Sequence, residues 1–343
     1  MTPARTGVRS WPRGRIALGG VLVAALVAPA LAAEPAGELR IGIPRLPATL
    51  DPAAVTEEPG PTSPTLLVHR QLFEGLVEVG ERGDIAPGLA AHWSVSRDGL
   101  TWTFRLRPDV QFHNGVPLTA DVVVAALLRH MGPQAPHSAD DPPWARALRG
   151  PGAMVRDVRR GEGGTVQILL GQPFSPLLAV LAHPALAVGV TQHDGQAPFA
   201  GTGPYRVAAR GPDRLVLEAV PGRPSGSPAR TPRLVFIEVG DDAGGLAELG
   251  PGGGLDLHFP QRPPTSDGLG LQTLVAPTWQ TGLLALKADE GPFALKGLRQ
   301  AVSASLDPGL VGPALGRVAR PLAGYLPPGA WAARDVPRLP FEP

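Results

Sequence analysis

The residues able to do chemistry are sparse and scattered. Eight histidines stand at positions 69, 92, 113, 130, 137, 183, 193 and 258. No two are four apart, the spacing that pairs imidazoles on one helix face around a metal. Cysteine is absent, which excludes disulfides, thiolate catalysis and zinc–thiolate sites. There is no GxSxG elbow, no HExxH and no Ser-x-x-Lys. Ser175 lies between Phe174 and Pro176 without a nearby base and reads as a turn residue. Gly201-Thr202-Gly203 has neither the GxGxxG spacing nor a terminal Gly-Lys-Ser/Thr, so it is no phosphate loop. Its glycines are expected to permit a strained turn. These residues support no enzyme, no cofactor and no metal centre; His258 and His193 are the only histidines worth following.

The elements that would position a site must come from a long, neutral chain. At 343 residues it can bury a large core and divide into two domains. The formal charge is +1, yet Arg5, Arg9, Arg13 and Arg15 lie in the first 32 residues without an acid. The remainder carries −3, four less than the whole. A weakly acidic body gives no support to nucleic-acid binding. The 44 glycines and 42 prolines signal many turns, while regular apolar segments argue against wholesale disorder.

The N-terminus reads as an export leader. A basic segment, Arg5 to Arg15, precedes the apolar run Ile16–Val27, and Ala30-Leu31-Ala32 is a small-x-small cleavage site. The mature chain is expected to start at Ala33, in the periplasm. The apolar run falls short of the roughly 20 residues that span a bilayer. No cysteine follows it, so a lipoprotein anchor is not expected.

The most informative stretch runs from Ile85 to Met131. Asp98-Gly99 favours the positive φ of a tight turn between two strands. In the second strand Trp102, Phe104 and Leu106 alternate with Thr101, Thr103 and Arg105. His113-Asn114-Gly115 breaks the chain, Thr119 is an N-cap, and Ala120–Met131 reads as a helix that Gly132-Pro133 stops.

These residues carry a resemblance. Ala86-Pro87-Gly88-Leu89-Ala90, Trp93, Asp98-Gly99, Trp102-Thr103-Phe104, Leu106-Arg107, Phe112-His113, Gly115, Pro117 and Thr119-Ala120-Asp121-Val122 resemble the hallmark segment of extracellular solute-binding family 5, the oligopeptide, dipeptide and nickel-binding class of ABC importers. Leu50-Asp51-Pro52, Leu72-Phe73-Glu74-Gly75-Leu76, Gly201-Thr202-Gly203-Pro204-Tyr205, Leu255-Asp256-Leu257, Leu298-Arg299-Gln300-Ala301-Val302 and Gly324–Gly329 resemble further family motifs. The Tyr-Trp element usual between the strands Arg214–Val220 and Arg233–Val239 is replaced by Pro, Gly, Ser and Arg over 221–232.

The resemblance implies an α/β, two-lobed periplasmic-binding-protein-like fold of type II, with an extra subdomain in lobe I and a truncated lobe II. The expected division is a leader over 1–32, lobe I over 37–58 plus 153–242, an inserted subdomain over 59–152, and an incomplete lobe II over 243–343. Other strands are expected at Glu38–Pro44, Met154–Arg160, Thr165–Leu170, Ala187–Thr191, Arg206–Arg210, Gln272–Ala276 and Gly282–Lys287. Short helices are expected at Leu177–Ala182 and Ala247–Leu249. In the Leu66–Val79 segment Glu74 is placed on the polar helix face with Arg70.

For function, the resemblance implies capture of a peptide or similar small solute between lobes, with hinge closure and delivery to an ABC permease and ATPase. The candidate ligand-binding residues are Thr56, Glu57 and Glu58 from the first lobe, and His258, Gln261, Trp279 and Gln280 from the second. Family members usually continue for well over a hundred further residues, which supply an acid for the α-amino group of a peptide; Glu57 or Glu58 is the substitute in this chain. Trp279 offers either a stacking face or a core tryptophan. A monomer is expected. The alternative is a degenerate paralogue acting as a sensory or docking module without transport.

Overall fold

The computed structural model describes residues 37–54, 63–80, 83–138, 141, 143–191, 199–223, 229–249, 252–260, 271–275, 284–307, 309–310 and 322, with the backbone of 23–27. Two sheets organise them. The larger has seven strands in the order Tyr205–Arg210, Arg214–Ala219, Arg233–Glu238, Glu38–Ile43, Leu257–His258, Val23–Val27 and Leu271–Val275. Glu38–Ile43 lies parallel to both Arg233–Glu238 and Leu257–His258, with Ile41 opposite Phe236 on one side and Leu257 on the other. The remaining pairings are antiparallel. Buried Ile41, Ile43, Leu215, Leu217, Leu234 and Phe236 from this sheet pack with Val68 and Leu72 of the helix Pro64–Leu72.

The smaller sheet is a four-stranded antiparallel meander-like unit, Ala90–Val95, Thr101–Leu106, Val166–Leu170 and Val155–Arg160. Its first hairpin turns at Asp98-Gly99 as the sequence requires: Gly99 has φ +73°, and Asp98 accepts from the Ser96 hydroxyl and the Leu100 amide. Trp102 and Phe104 point into the core with Val166, Ile168, Val155 and Val158. The helix Ala120–His130 closes that core with Val123, Ala126 and Leu127. The threonine Oγ1 of Thr119 accepts from the Val122 amide at 3.3 Å, and Asp121 complements the helix dipole. Thr119→Ala is expected to lower stability by about 1 kcal/mol, read as the shift in urea midpoint at unchanged slope.

Two strands of the small sheet come from beyond residue 152, so the sequence-based division at 152 cuts through a sheet. Likewise Leu257–His258 and Leu271–Val275 join the large sheet, although the division at 242 assigned them to the second lobe. Alternation marks a half-buried strand but not the sheet it joins. The backbone of Val23–Val27, inside the expected leader, pairs with both of them.

Other elements shift by smaller amounts. The helix expected at Ala247–Leu249 starts earlier and spans Asp242–Glu248, because the Asp241 carboxylate accepts from the Gly244 amide and caps it. Residues 284–288 form no regular element, where a strand was expected. Lys296–Ser305, which contains the Leu298–Val302 motif, forms a helix. Among the described residues no helix is long and apolar enough to cross a membrane.

Candidate functional site

Three of the motifs converge where the two sheets meet. The helix Pro64–Leu72 ends at Leu72, and the chain then runs extended through Phe73 and Glu74, which bridges to Val188. The Leu72 carbonyl accepts from the Gly203 amide at 2.9 Å. The Gly201 carbonyl accepts from the His113 amide at 2.8 Å, and the His113 Nε2 lies 3.0 Å from the Gly203 carbonyl. The loop before the subdomain helix, the end of the first helix and the 201–205 loop are thereby tied by backbone bonds.

The glycines of that loop serve close approach, not a strained turn. Neither Gly201 nor Gly203 has a positive φ. A Cβ on Gly201 would sit 1.9 Å from the Leu72 carbonyl oxygen, and one on Gly203 would sit 2.4 Å from that of Gln71. The same logic holds at Gly88, where a Cβ would lie 2.5 Å from the Gly75 oxygen. Arg107 donates from Nε to the Gly88 carbonyl at 2.6 Å, closing the segment.

Charge is buried at this junction. The Arg223 Nη2 lies 2.6 Å from Glu74 Oε1, and both side chains are under a tenth exposed. Arg223 also donates from Nε to the Thr202 carbonyl at 2.9 Å. Glu74 is therefore an inward partner rather than the solvent-facing helical residue the periodicity suggested. The helix stops two residues short of it, so helical phasing no longer applies. Arg223 belongs to no motif, and the Pro-Gly-Ser-Arg stretch gives no local signal that separates it from Arg230.

A second tie joins the subdomain helix to the large-sheet unit. Arg129 pairs with Asp51 of the Leu-Asp-Pro motif and stacks over the Phe199 ring at 4.8 Å. Asp51 also accepts from the Ala53 amide at 3.0 Å.

Of the ligand-binding candidates, Thr56, Glu57, Glu58, Gln261, Trp279 and Gln280 lie outside the described residues, as does His193. His258 alone is described, and it faces inward. It is fully buried, with Nδ1 3.0 Å from the Gly42 carbonyl and Nε2 3.7 Å from Asp242 Oδ1. Gly245 makes room for the ring: a Cβ there would stand 2.4 Å from it. His258 thus packs a strand end against the helix Asp242–Glu248, and it presents no face to a solute in this arrangement. Its neighbour Asp256 is engaged too, accepting from the Arg40 amide at 2.8 Å and from its guanidinium at 2.9 and 3.1 Å. Among the described residues no three histidines or carboxylates gather to hold a metal ion.

Three other histidines set a pH response. Burial, with nearby Arg223 and Arg206, pushes His113 down to about 4 against the Gly203 hydrogen bond. Burial and the cations Arg129 and Arg149 push His130 down to about 3. Burial and Arg70 push His183 down to about 4, and its Nδ1 must stay unprotonated to accept from the Ala185 amide. These groups remain neutral when folded while their unfolded counterparts take up protons below about 6.5. Their contribution is complete above that pH and is lost as pH falls toward 4. Each adds up to about 1.4 kcal/mol per pH unit in that window. Desolvation and Glu74 push Glu78 up, which opposes the trend. Urea midpoints measured between pH 7 and 4.5 are expected to fall steadily, and replacing His130 by Gln to flatten the slope.

The fold and these motifs define a periplasmic-binding-protein-like molecule, and comparison with known proteins specifies which kind. Residues 84–342 match the family described as bacterial extracellular solute-binding proteins, family 5 Middle, and the chain belongs to that family. It is 25% identical over 290 residues to the glutathione-binding protein GsiB of Escherichia coli O1:K1, covering 80% of this chain and 54% of GsiB. It is 27% identical over 303 residues to the probable di/tripeptide-binding protein 5 of Pseudomonas aeruginosa, covering 79% and 56%. The chain thus spans about half the length of these curated relatives. Its fold resembles the unliganded open form of MppA, a periplasmic murein tripeptide-binding protein, with a TM-score of 0.66 at 23% identity over 94% of this chain and 64% of MppA. The fold is the two-lobed one of these binding proteins.

Proposed function

We propose that this protein captures a short peptide or a peptide-like solute between its lobes in the periplasm and hands it to the permease of an ABC importer. Membership of family 5 carries the reading. It is supported by the names of relatives that bind glutathione, di- and tripeptides or a murein tripeptide. Closure about the hinge traps the solute without changing it covalently. Residues 1–32 direct export, the mature protein starts at Ala33, and it acts as a monomer without nucleic acid. Thr56, Glu57, Glu58, Gln261, Trp279 and Gln280 line the cleft, with one glutamate meeting the solute amine.

Native mass spectrometry of the exported protein tests the reading. An N-terminus at Ala33 and a peptide-sized guest lost on denaturation are the expected results. Titration of the guest-free protein with a tripeptide library that shows no binding at millimolar concentration would remove the proposal. Glu57→Gln with Glu58→Gln is expected to weaken tripeptide binding by about tenfold to hundredfold, the worth of a hydrogen bond to a charged group. Unchanged affinity would take the amine contact away from both glutamates.

A further inference from the structure

Two apolar cores meet along one joint. Leu177, Leu181, Leu186 and Val188 pack in the small-sheet core and Ala187 packs in the large-sheet core, so the segment 177–188 crosses between them. Two backbone bonds lie on this joint. The His113 amide donates to the Gly201 carbonyl at 2.8 Å, and the Val188 amide donates to that of Glu74 at 2.9 Å.

Three histidines stand on the same joint, each among cations. The His113 Nε2 lies 3.0 Å from the Gly203 carbonyl, and the ring faces Arg206 and Arg223. His130 ends the helix Ala120–His130, is 4% exposed, and hydrogen-bonds the Ala187 backbone between Arg129 and Arg149. His183 starts the turn Pro184–Leu186, where its Nδ1 accepts from the Ala185 amide at 3.1 Å, and it faces Arg70. The neighbouring carboxylates Glu74, Asp51 and Asp141 are taken by Arg223, Arg129 and Arg149. A protonated ring would therefore meet guanidinium groups, and at His183 it would also lose an acceptor. The buried His69 and His258 differ in place, bonding to the Thr49 and Gly42 carbonyls on the large-sheet side.

We propose that the joint is an acid-operated hinge: protons taken up at His113, His130 and His183 part the two cores before either core unfolds. Parting moves the rings from guanidinium groups into water, so acid favours the open form and neutral pH the closed one. A ring that charges below about 6.5 when open, and only near 4 or lower when closed, raises the opening equilibrium about twentyfold between pH 7 and pH 5. Glu78, which faces Glu74, Arg223, Arg107 and Arg70, works in the opposite sense and trims the combined effect. The inference stands on the joint rather than on solute capture, so the two proposals fail separately.

The test is amide hydrogen exchange of the exported protein between pH 7 and pH 5, corrected for intrinsic rates and repeated across low urea concentrations. The His113 and Val188 amides are expected to exchange through one opening with a shallow urea dependence, and that opening grows as pH falls. Amides of the strands Thr101–Leu106 and Arg233–Glu238 should exchange by a steeper, global route. His130→Gln should keep the shallow route and remove about twentyfold of its pH effect. If that variant does not fold, the ring resonances of the three histidines in the unmutated protein decide: they must titrate in step with the opening of the joint. Joint amides that share the steep urea dependence of the strands would overturn the proposal. So would a shallow opening that ignores pH, an undiminished pH effect in His130→Gln, or rings that titrate while the joint stays protected.

Discussion

Gly201→Ala is expected to lower the unfolding free energy by about 3 kcal/mol or more, the cost of forcing atoms into a space that has none. A Cβ at this position would lie 1.9 Å from the Leu72 carbonyl oxygen and 2.6 Å from Phe73 Cδ1. Neither neighbour is the free end of a flexible side chain. Leu72 ends the helix Pro64–Leu72 and its carbonyl is already accepting from the Gly203 amide. Phe73 is buried in the large-sheet core. Relief therefore requires the helix end and the 201–205 loop to separate, which also strains the bond from the His113 amide to the Gly201 carbonyl. Gly115→Ala is the comparison. That glycine has φ +81° with open space around it, so its substitution carries only the backbone penalty of about 1–2 kcal/mol. Equilibrium urea unfolding of the two variants separates the explanations: if Gly201→Ala is no worse than Gly115→Ala, close packing is not the reason for glycine at 201.

That contrast shows what was legible in the residues and what was not. Local rules worked wherever the determinant was local. Asp98-Gly99 set the hairpin, the alternation from Thr101 to Leu106 set its buried face, and Thr119 set the helix start. The motif Gly201–Tyr205 was visible as a signature, but its physical reason was not, because the atoms that forbid a side chain belong to residues 71–73. The helix Asp242–Glu248 was read too short for a related reason. Gly244 and Gly245 lower its propensity by about 1 kcal/mol each relative to Ala, and the buried ring that requires Gly245 is His258, thirteen positions on. His258 itself looked like a cleft residue since a two-residue strand has no period from which to infer its inward face. The other six binding candidates rest on resemblance and position alone.

Arg223→Ala is expected to be a strongly damaging charge deletion, at about 3–5 kcal/mol. The magnitude follows from what remains behind. Glu74 is 6% exposed in its side chain, and its carboxylate loses a guanidinium at 2.6 Å. Arg223 also leaves the Thr202 carbonyl without its 2.9 Å donor. An exposed pair behaves differently: Arg160 and Asp121 are about as close, yet both are more than half exposed, and breaking them is expected to change stability by under about 1 kcal/mol. The buried pair makes a sharper demand on the double variant. Joint replacement by Glu74→Leu and Arg223→Met removes both charges and keeps apolar volume, so much of the loss from Arg223→Ala should be regained. The pair lies between the helix end, the 201–205 loop and the Pro-Gly segment that follows Ala219, so the single variant should also loosen all three. Hydrogen exchange is expected to rise first at the Gly203 and Leu89 amides, whose partners are the Leu72 and Gly75 carbonyls on either side of Glu74. A loss below about 1 kcal/mol for Arg223→Ala, or a double variant no more stable than the single, would show that water reaches this pair and that the junction is held by its backbone bonds alone.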